Sequence, residues 1–246
     1  MRSISLRLFA AAACCILPIH AASSSPFTVS SPSASKNWKI KLRSELKDGD
    51  NKDVLTLPKV ELGIPLAPDL DFTIAAQYRT VDRTGRVQTH GLGDVSVKSK
   101  WNFHKSEGGG LSLAVEPKLS LPTGDASRSL GEGDAVVELP FIVGYKRGAW
   151  ELGTEIGYNH VFGRKDDEAY IGVLALRRLT PGLRLGAELV ATTPHVRFST
   201  IETEANVGMK WALGKRLELK ALAGRTLHKA DHSATNKFKL GLDIKI

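Results

Sequence analysis

The chain has 246 residues, 42% of them hydrophobic, and a formal net charge of +8. That length fits one large domain or two small ones, and this hydrophobic content excludes a disordered chain. The two cysteines, Cys14 and Cys15, are adjacent and near the N-terminus, which excludes a disulfide or zinc–thiolate framework in the rest of the chain.

Residues 1–22 have the pattern of an export signal. Arg2 and Arg7 accompany an apolar run from Leu8 to Leu17, and small residues follow before Ser23. The run is too short to span a bilayer as a helix. Its removal would leave a mature chain without cysteine, which suits an oxidising periplasm. We therefore expect an exported protein, in which residues 23–37 form a polar N-terminal segment.

From Trp38 onward, apolar and polar residues alternate with a period of two, the pattern of a β-strand with one apolar face. The alternation predicts twelve strands at 38–46, 54–64, 71–80, 92–103, 111–121, 135–145, 150–161, 169–179, 183–193, 200–211, 217–227 and 237–245. Strands of this length suit a tilted crossing of a bilayer, where only a closed barrel satisfies every backbone amide. The sequence therefore predicts an all-β protein, a closed antiparallel transmembrane barrel over residues 38–246.

The connections between these strands alternate in length. The first, between residues 47 and 53, and the other odd-numbered ones are mostly longer and more polar than the even-numbered ones, as expected for outward loops and periplasmic turns. All four tryptophans fall at predicted periplasmic strand ends, whereas Tyr78, Tyr158, Phe162, Tyr170 and Phe198 fall near the outward ends. Two aromatic girdles are typical of a membrane barrel.

Alternation alone does not say which face points inward, because a soluble lipid-binding barrel has its apolar face inside. We expect the apolar face to contact lipid, so the polar face lines the lumen. The lumen-lining candidates are Lys41, Arg43, Arg79, Lys98, Glu116, Lys118, Glu138, Glu155, Arg184, Glu188, Glu204, Lys220 and Lys239. These charges either line a water-filled path for solutes or form ion pairs that fill a narrow barrel.

Signals for enzymatic chemistry are weak. The chain has no nucleophile elbow, no zinc-protease motif and no phosphate-cradling loop. A histidine of an outward loop, for example His195 with Ser199, would suit a lipid-modifying site, but a solvated loop histidine is the preferred interpretation. The acidic run from Asp48 to Asp53 lacks the glycine and the closing glutamate of a calcium loop. We therefore expect no catalytic site, no cofactor and no metal. We also expect no nucleic-acid partner, because acidic and basic residues interleave and leave no basic stripe.

Several motifs resemble one family. Gly91-Leu-Gly-Asp94 opens a strand, Leu121-Pro-Thr-Gly-Asp125 follows, and Gly131-Glu-Gly-Asp134 comes next. This succession is similar to the outer-membrane transporter family named for the MetA pathway of phenol degradation. The resemblance implies an outer-membrane β-barrel that acts in transport and is sometimes linked with aromatic or other hydrophobic compounds, and it brings no agreed binding residues. Read as local chemistry, Pro122 ends a strand, and Gly124 and Asp125 begin an outward loop.

The sequence thus favours an outer-membrane barrel that passes small solutes, with aromatic or anionic compounds as candidates. Its expected partners are membrane lipids, the outer-membrane assembly machinery and a solute that the sequence does not name. The alternatives are an occluded structural or interaction barrel and a soluble periplasmic barrel that binds lipid.

Overall fold

Fifteen β-segments build a closed wall, in a computed structural model that describes residues 26–106, 108–163, 167–197, 200–229 and 233–246. The segments are β1 (Lys39–Gly49), β2 (Lys52–Ala67), β3 (Leu70–Arg83), β4 (Thr89–Leu92), β5 (Val95–Lys105), β6 (Gly110–Val115), β7 (Lys118–Leu121), β8 (Val136–Glu138), β9 (Phe141–Arg147), β10 (Trp150–Val161), β11 (Glu168–Arg178), β12 (Leu183–Pro194), β13 (Glu202–Ala212), β14 (Leu217–His228) and β15 (Thr235–Lys245). One short 3-10 helix, Ala126–Arg128, lies between β7 and β8. Within the described ranges, no helix is long and apolar enough to cross a membrane.

The sheet closes on itself through its first and last strands. β1 pairs antiparallel with β15 from Lys39 opposite Lys245 to Gly49 opposite Thr235. Three consecutive pairs of segments, β4 with β5, β6 with β7, and β8 with β9, are each one barrel strand with an interruption. Both members of each pair bind the same neighbouring strand. The wall therefore has twelve antiparallel strands, and the predicted barrel is confirmed.

The three interruptions have local causes. Two of them fall at Glu116-Pro117 and Leu139-Pro140, where proline has no N–H to donate to a ladder. The third falls at Gly93-Asp94 and shifts the alternation by one residue, as a bulge does. On its two sides, Leu92 pairs with the exposed Tyr78, and Val97 pairs with the exposed Ile74.

Most predicted strand ends lie within three residues of the observed ones. The predicted outward loop over residues 47–53 is wrong, because β1 and β2 extend until only Asp50 and Asn51 connect them. The predicted signal peptide, residues 1–22, lies outside the described residues, and so do the first three residues of the predicted polar segment.

Candidate functional site: the barrel lumen

The outer surface of the wall is apolar. Outward residues such as Leu189, Val207 and Leu152 are about half exposed, and the charged partners described below lie on the opposite face. Trp38, Trp101, Trp150 and Trp211 are also about half exposed, at the strand ends where β1 begins. This arrangement fits a barrel surrounded by lipid, and it removes the alternative of a soluble barrel with an apolar interior.

One aromatic residue was assigned to the wrong face. Tyr170 lies near the outward end of β11, but its side chain points into the barrel, where its hydroxyl donates to Glu155 Oε1 at 2.7 Å. Of the other girdle residues named for this end, Tyr78, Tyr158 and Phe162 are exposed, and Phe198 lies outside the described residues.

Ten of the thirteen lumen candidates form ion pairs with one another or with neighbouring inward residues. Lys41 pairs with Glu61 at 3.3 Å, Lys98 with Glu116 at 3.2 Å, and Lys239 with Glu45 at 3.9 Å. Other pairs are Lys118–Glu138, Arg43–Asp243, Lys220–Asp243 at 2.5 Å, Arg184–Glu218 at 2.6 Å, and Lys237–Glu204 at 2.5 Å. Such pairing is what burial of charge inside a barrel requires.

The other three candidates, Arg79, Glu155 and Glu188, bond to backbone or to neutral groups. Arg79 Nη1 donates to the carbonyl oxygen of Leu130, in the loop between β7 and β8, at 3.2 Å. The two carboxylates bind a part of the chain that precedes the wall.

This part, residues 26–37, runs inside the barrel, and we call it the plug. Ser35 N donates to Asp71 at 2.5 Å on one side of the lumen. Ser30 N donates to Glu155 Oε2 at 2.7 Å on the other side, and Val29 N donates to Glu188 Oε2 at 3.0 Å. The plug therefore crosses the lumen from β3 to β10 and β12.

Inward glycines make room for the plug. A Cβ atom on Gly172 would stand 2.6 Å from Val29 Cγ2, and one on Gly144 would stand 2.7 Å from Pro32 Cγ. A Cβ atom on Gly153 would stand 3.0 Å from Val29 Cγ1, and one on Gly208 would stand 3.0 Å from Phe27 Cζ. Larger residues on these strands would collide with the plug.

The plug also covers an apolar patch within the lumen. Phe27 and Val29 are buried in a cluster with Leu174 and Leu176 of β11 and Leu222 of β14. The inward face of β11 is therefore apolar at this depth, so polar and apolar residues do not alternate cleanly near Arg177 and Arg178. Arg177 instead lies over the Trp150 ring, with its guanidinium carbon 5.5 Å from the ring centroid.

Among the described residues, a series of cavities lies along the interior of the barrel. A cavity of about 880 Å³ opens at the outward end between Asn51 and Ser233, and it adjoins one of about 470 Å³ whose lining includes Thr28 and Ser30 of the plug. Two smaller cavities, of about 150 and 140 Å³, also contact the plug. Except for Arg184 and Glu188, every lumen candidate lines one of the four. The plug thus separates space that would otherwise be continuous.

The three glycine–aspartate motifs join at the outward end. Asp94 Oδ1 accepts the Gly124 N–H at 2.9 Å, and Asp94 Oδ2 accepts the Glu132 N–H at 2.8 Å. Gly124 and Gly131 pack so closely that a Cβ on Gly124 would stand 2.9 Å from Gly131 Cα. Leu130 is thereby buried against Val54 and Val81. We call residues 122–135, fixed by Asp94, the latch loop. Sequence reasoning treated these motifs as turns and missed that they bind each other.

The enzyme candidates have no assembled site in the described residues. His195 lies in an outward turn with a φ of 53°, and Ser199 lies outside the described residues. No group of three or more His, Cys, Asp or Glu that could hold a metal is found within the described part of the chain. Asp48 and Asp53 belong to the extended β1–β2 hairpin.

The family model described as MetA-pathway of phenol degradation matches residues 60–240. The chain belongs to this family. A comparison with curated proteins finds no match.

Among solved structures, the chain is similar to an outer membrane channel from Pseudomonas putida F1, with 15% identity, a TM-score of 0.70, and coverage of 94% of this chain and 100% of that one. It is also similar to the NanC porin, with 6% identity, a TM-score of 0.60, and coverage of 84% and 100%. The KdgM porin in complex with oligogalacturonate follows, with 11% identity, a TM-score of 0.54, and coverage of 85% and 99%. At these identities the likeness shows the fold, which is that of outer-membrane β-barrels.

Proposed function

We propose that the protein passes small solutes across the outer membrane through its lumen, and that the plug closes the lumen in the state described here. The supporting observation is the series of polar cavities that extends from the outward mouth to the plug. Charged and hydroxyl side chains line these cavities, so they suit water and small solutes. The relatives are named as a channel and porins, which supports the same role for this chain.

Aromatic compounds are the first solutes to test, because the family description refers to phenol degradation. Anionic solutes remain candidates, since the mature chain is expected to keep a net positive charge. The absence of chemistry in the lumen is part of the proposal: the relatives compared above are channels and porins, and none of them is named as an enzyme.

An occluded structural barrel is the second candidate. Its supporting observation is that the plug and the ion pairs together fill the inner part of the lumen. The two candidates differ in one respect: a structural barrel conducts no ions, even after the plug has been removed.

The test is single-channel conductance in planar lipid bilayers bathed in potassium chloride solution. The chain is compared with a variant lacking residues 26–35 and with Gly172→Ala, whose Cβ would displace Val29. The matched control is Gly63→Ala, an inward glycine whose nearest neighbour to a new Cβ is 3.6 Å away, on Lys39. We expect larger or more frequent openings from the first two variants and wild-type behaviour from Gly63→Ala. A folded, plug-deleted barrel that stays silent would rule out the channel.

A further inference from the structure

Three inward carboxylates, those of Asp71, Glu155 and Glu188, differ from the ion-paired ones around them. None of the three has a lysine or arginine within ion-pair distance among the described residues. Each accepts a hydrogen bond from a backbone N–H of the plug instead. Glu188 accepts two, from Thr28 at 2.9 Å and from Val29 at 3.0 Å. The plug N–H groups therefore occupy positions at which a cation would be expected.

Glu155 and Glu188 bind consecutive residues of the plug. Val29 N donates to Glu188, and Ser30 N donates to Glu155. Since adjacent backbone N–H groups reach both, the two carboxylates lie within the span of one small molecule. Both side chains are almost completely buried, at 3% and 4% exposure.

A third polar group beside them is not fully paired. Asn206 Nδ2 donates to Glu188 Oε1 at 2.8 Å, while the buried Asn206 Oδ1 has no hydrogen-bond partner. One buried acceptor beside the two carboxylates, Asn206 Oδ1, therefore receives no donor from the plug or the wall. An unmet acceptor at a buried position carries a free-energy cost that an additional N–H donor would relieve.

The floor beneath these carboxylates is apolar. Leu174, Leu176 and Leu222 contact Phe27 and Val29 of the plug, and the inward glycines leave space beside them. A charged lumen does not need such a patch to pass hydrophilic solutes. The patch provides burial for a hydrocarbon or aromatic group of about the size of the Phe27 side chain.

We propose that the plug seat, formed by Glu155 and Glu188 with the floor of Leu174, Leu176 and Leu222, is a binding subsite for small amphiphilic ammonium compounds. The apolar group of the ligand takes the place of Phe27 and Val29, and its ammonium donates to Glu155 and Glu188. An ammonium forms stronger hydrogen bonds to a carboxylate than a neutral peptide N–H does. Such a solute therefore competes with the plug and favours the open lumen. The inference rests on the proposed function and adds a solute class to it.

The test uses a single thiol in the plug, introduced as Val29→Cys in the mature chain, because the Val29 side chain is fully buried while the plug is seated. Exposure of this thiol to a membrane-impermeant maleimide reports displacement of the plug. The probes are 2-phenylethylammonium, the neutral 2-phenylethanol and the anionic phenylacetate, which share one ring and differ in charge. We expect the ammonium compound to raise the labelling rate about tenfold more than the other two. Equal effects of all three compounds, or no effect of any, would overturn the subsite.

Variants then assign the effect to the carboxylates. Glu155→Gln and Glu188→Gln should remove the preference for the ammonium compound. Glu138→Gln should retain it, because Glu138 pairs with Lys118 and forms no hydrogen bond with the described residues of the plug. Heat-modifiable migration verifies that each variant folds. Glu188→Gln also weakens the attachment of the plug. The binding heats of the three compounds are therefore also measured on the plug-deleted chain, with and without each glutamine substitution, because this readout does not depend on the position of the plug. A preference kept by both glutamine variants in both readouts would overturn the assignment.

The outcome is separable from the test of the channel. If the plug-deleted chain conducts potassium chloride but shows no preference among the three compounds, the subsite fails and the channel stands. If the plug-deleted chain is folded and silent, the channel itself fails.

Discussion

Two parts of the barrel wall differ in whether their strands are continuous. In β10–β15 with β1–β3, which we call the continuous wall, each strand runs unbroken between its turns. In β4–β9, which we call the interrupted wall, every barrel strand breaks once. The continuous wall carries the apolar floor of the plug seat, and the interrupted wall carries the latch loop and Asp94. The difference indicates that breaks in the ladder occur where a loop or a proline replaces backbone pairing.

The largest expected effect comes from the most buried charge of the continuous wall. Lys220 is fully buried between Asp243 at 2.5 Å and Glu218 at 3.0 Å. Replacing it in Lys220→Met leaves two buried carboxylates with one cation fewer, which should lower the unfolding free energy by about 3–5 kcal/mol. Urea titration of the wild type and the variant in detergent measures this difference in unfolding free energy.

The matched variant on the interrupted wall is Lys118→Met. Lys118 and Glu138 are each about a quarter exposed, so their pair should contribute about 1 kcal/mol or less. Equal losses in the two variants would show that the two walls bury charge to the same extent, against this comparison.

The next effect tests which face contacts lipid. Val207 on the continuous wall and Val115 on the interrupted wall both point outward, so Val207→Arg and Val115→Arg should each cost about 2–4 kcal/mol if the residue lies near the bilayer midplane. Unfolding in lipid vesicles provides the measurement. Lys118→Arg, on the inward face, is the control and should be nearly silent. A large cost at Lys118 together with a small one at Val115 would reverse the assignment of faces for the interrupted wall.

A smaller, local effect is expected at the latch loop. In Asp94→Asn the side chain loses its charge and one of its two acceptor oxygens, which should lower the free energy of opening the latch loop by about 1.5–3 kcal/mol. Limited trypsin digestion should then cut after Arg128, which lies in the short helix of the loop. The turn after Arg147, between β9 and β10, is the internal reference, because Asp94 does not contact it. Unchanged protection at Arg128 would show that Asp94 does not hold the loop.

The sequence predicts the strands because the alternation is a local property, which residues such as Leu152 and Val207 on one face and Glu155 and Lys220 on the other display directly. The plug was expected only as a polar segment. Ser30 binds a carboxylate 125 residues away, a pairing that no local pattern contains. Glycines at inward positions, such as Gly172, were the available signal. The latch loop was missed in the same way, since turn chemistry explains Gly124 without reference to Asp94.

The smallest expected effect concerns the short helix of the latch loop and its dependence on pH. The Asp125 carboxylate caps this helix, accepting a hydrogen bond from the Ser127 hydroxyl at 2.6 Å and one from the Arg128 N–H. The Ser127 hydroxyl is the main reason that the pKa of Asp125 lies below its ordinary value of 3.8. A carboxyl whose pKa falls on folding stabilises the folded loop above its ordinary pKa, and this contribution is lost as the pH falls through the lowered value. The amides of Arg128 and Ser129 should therefore lose protection against hydrogen exchange slightly below pH 3.8, after correction for the intrinsic exchange rate. In Asp125→Asn the same amides should already be less protected at neutral pH, and their protection should no longer change across that pH range. Because Asp94 holds the loop independently, protection at Gly124 and Glu132 should stay constant, which separates the helix cap from the latch.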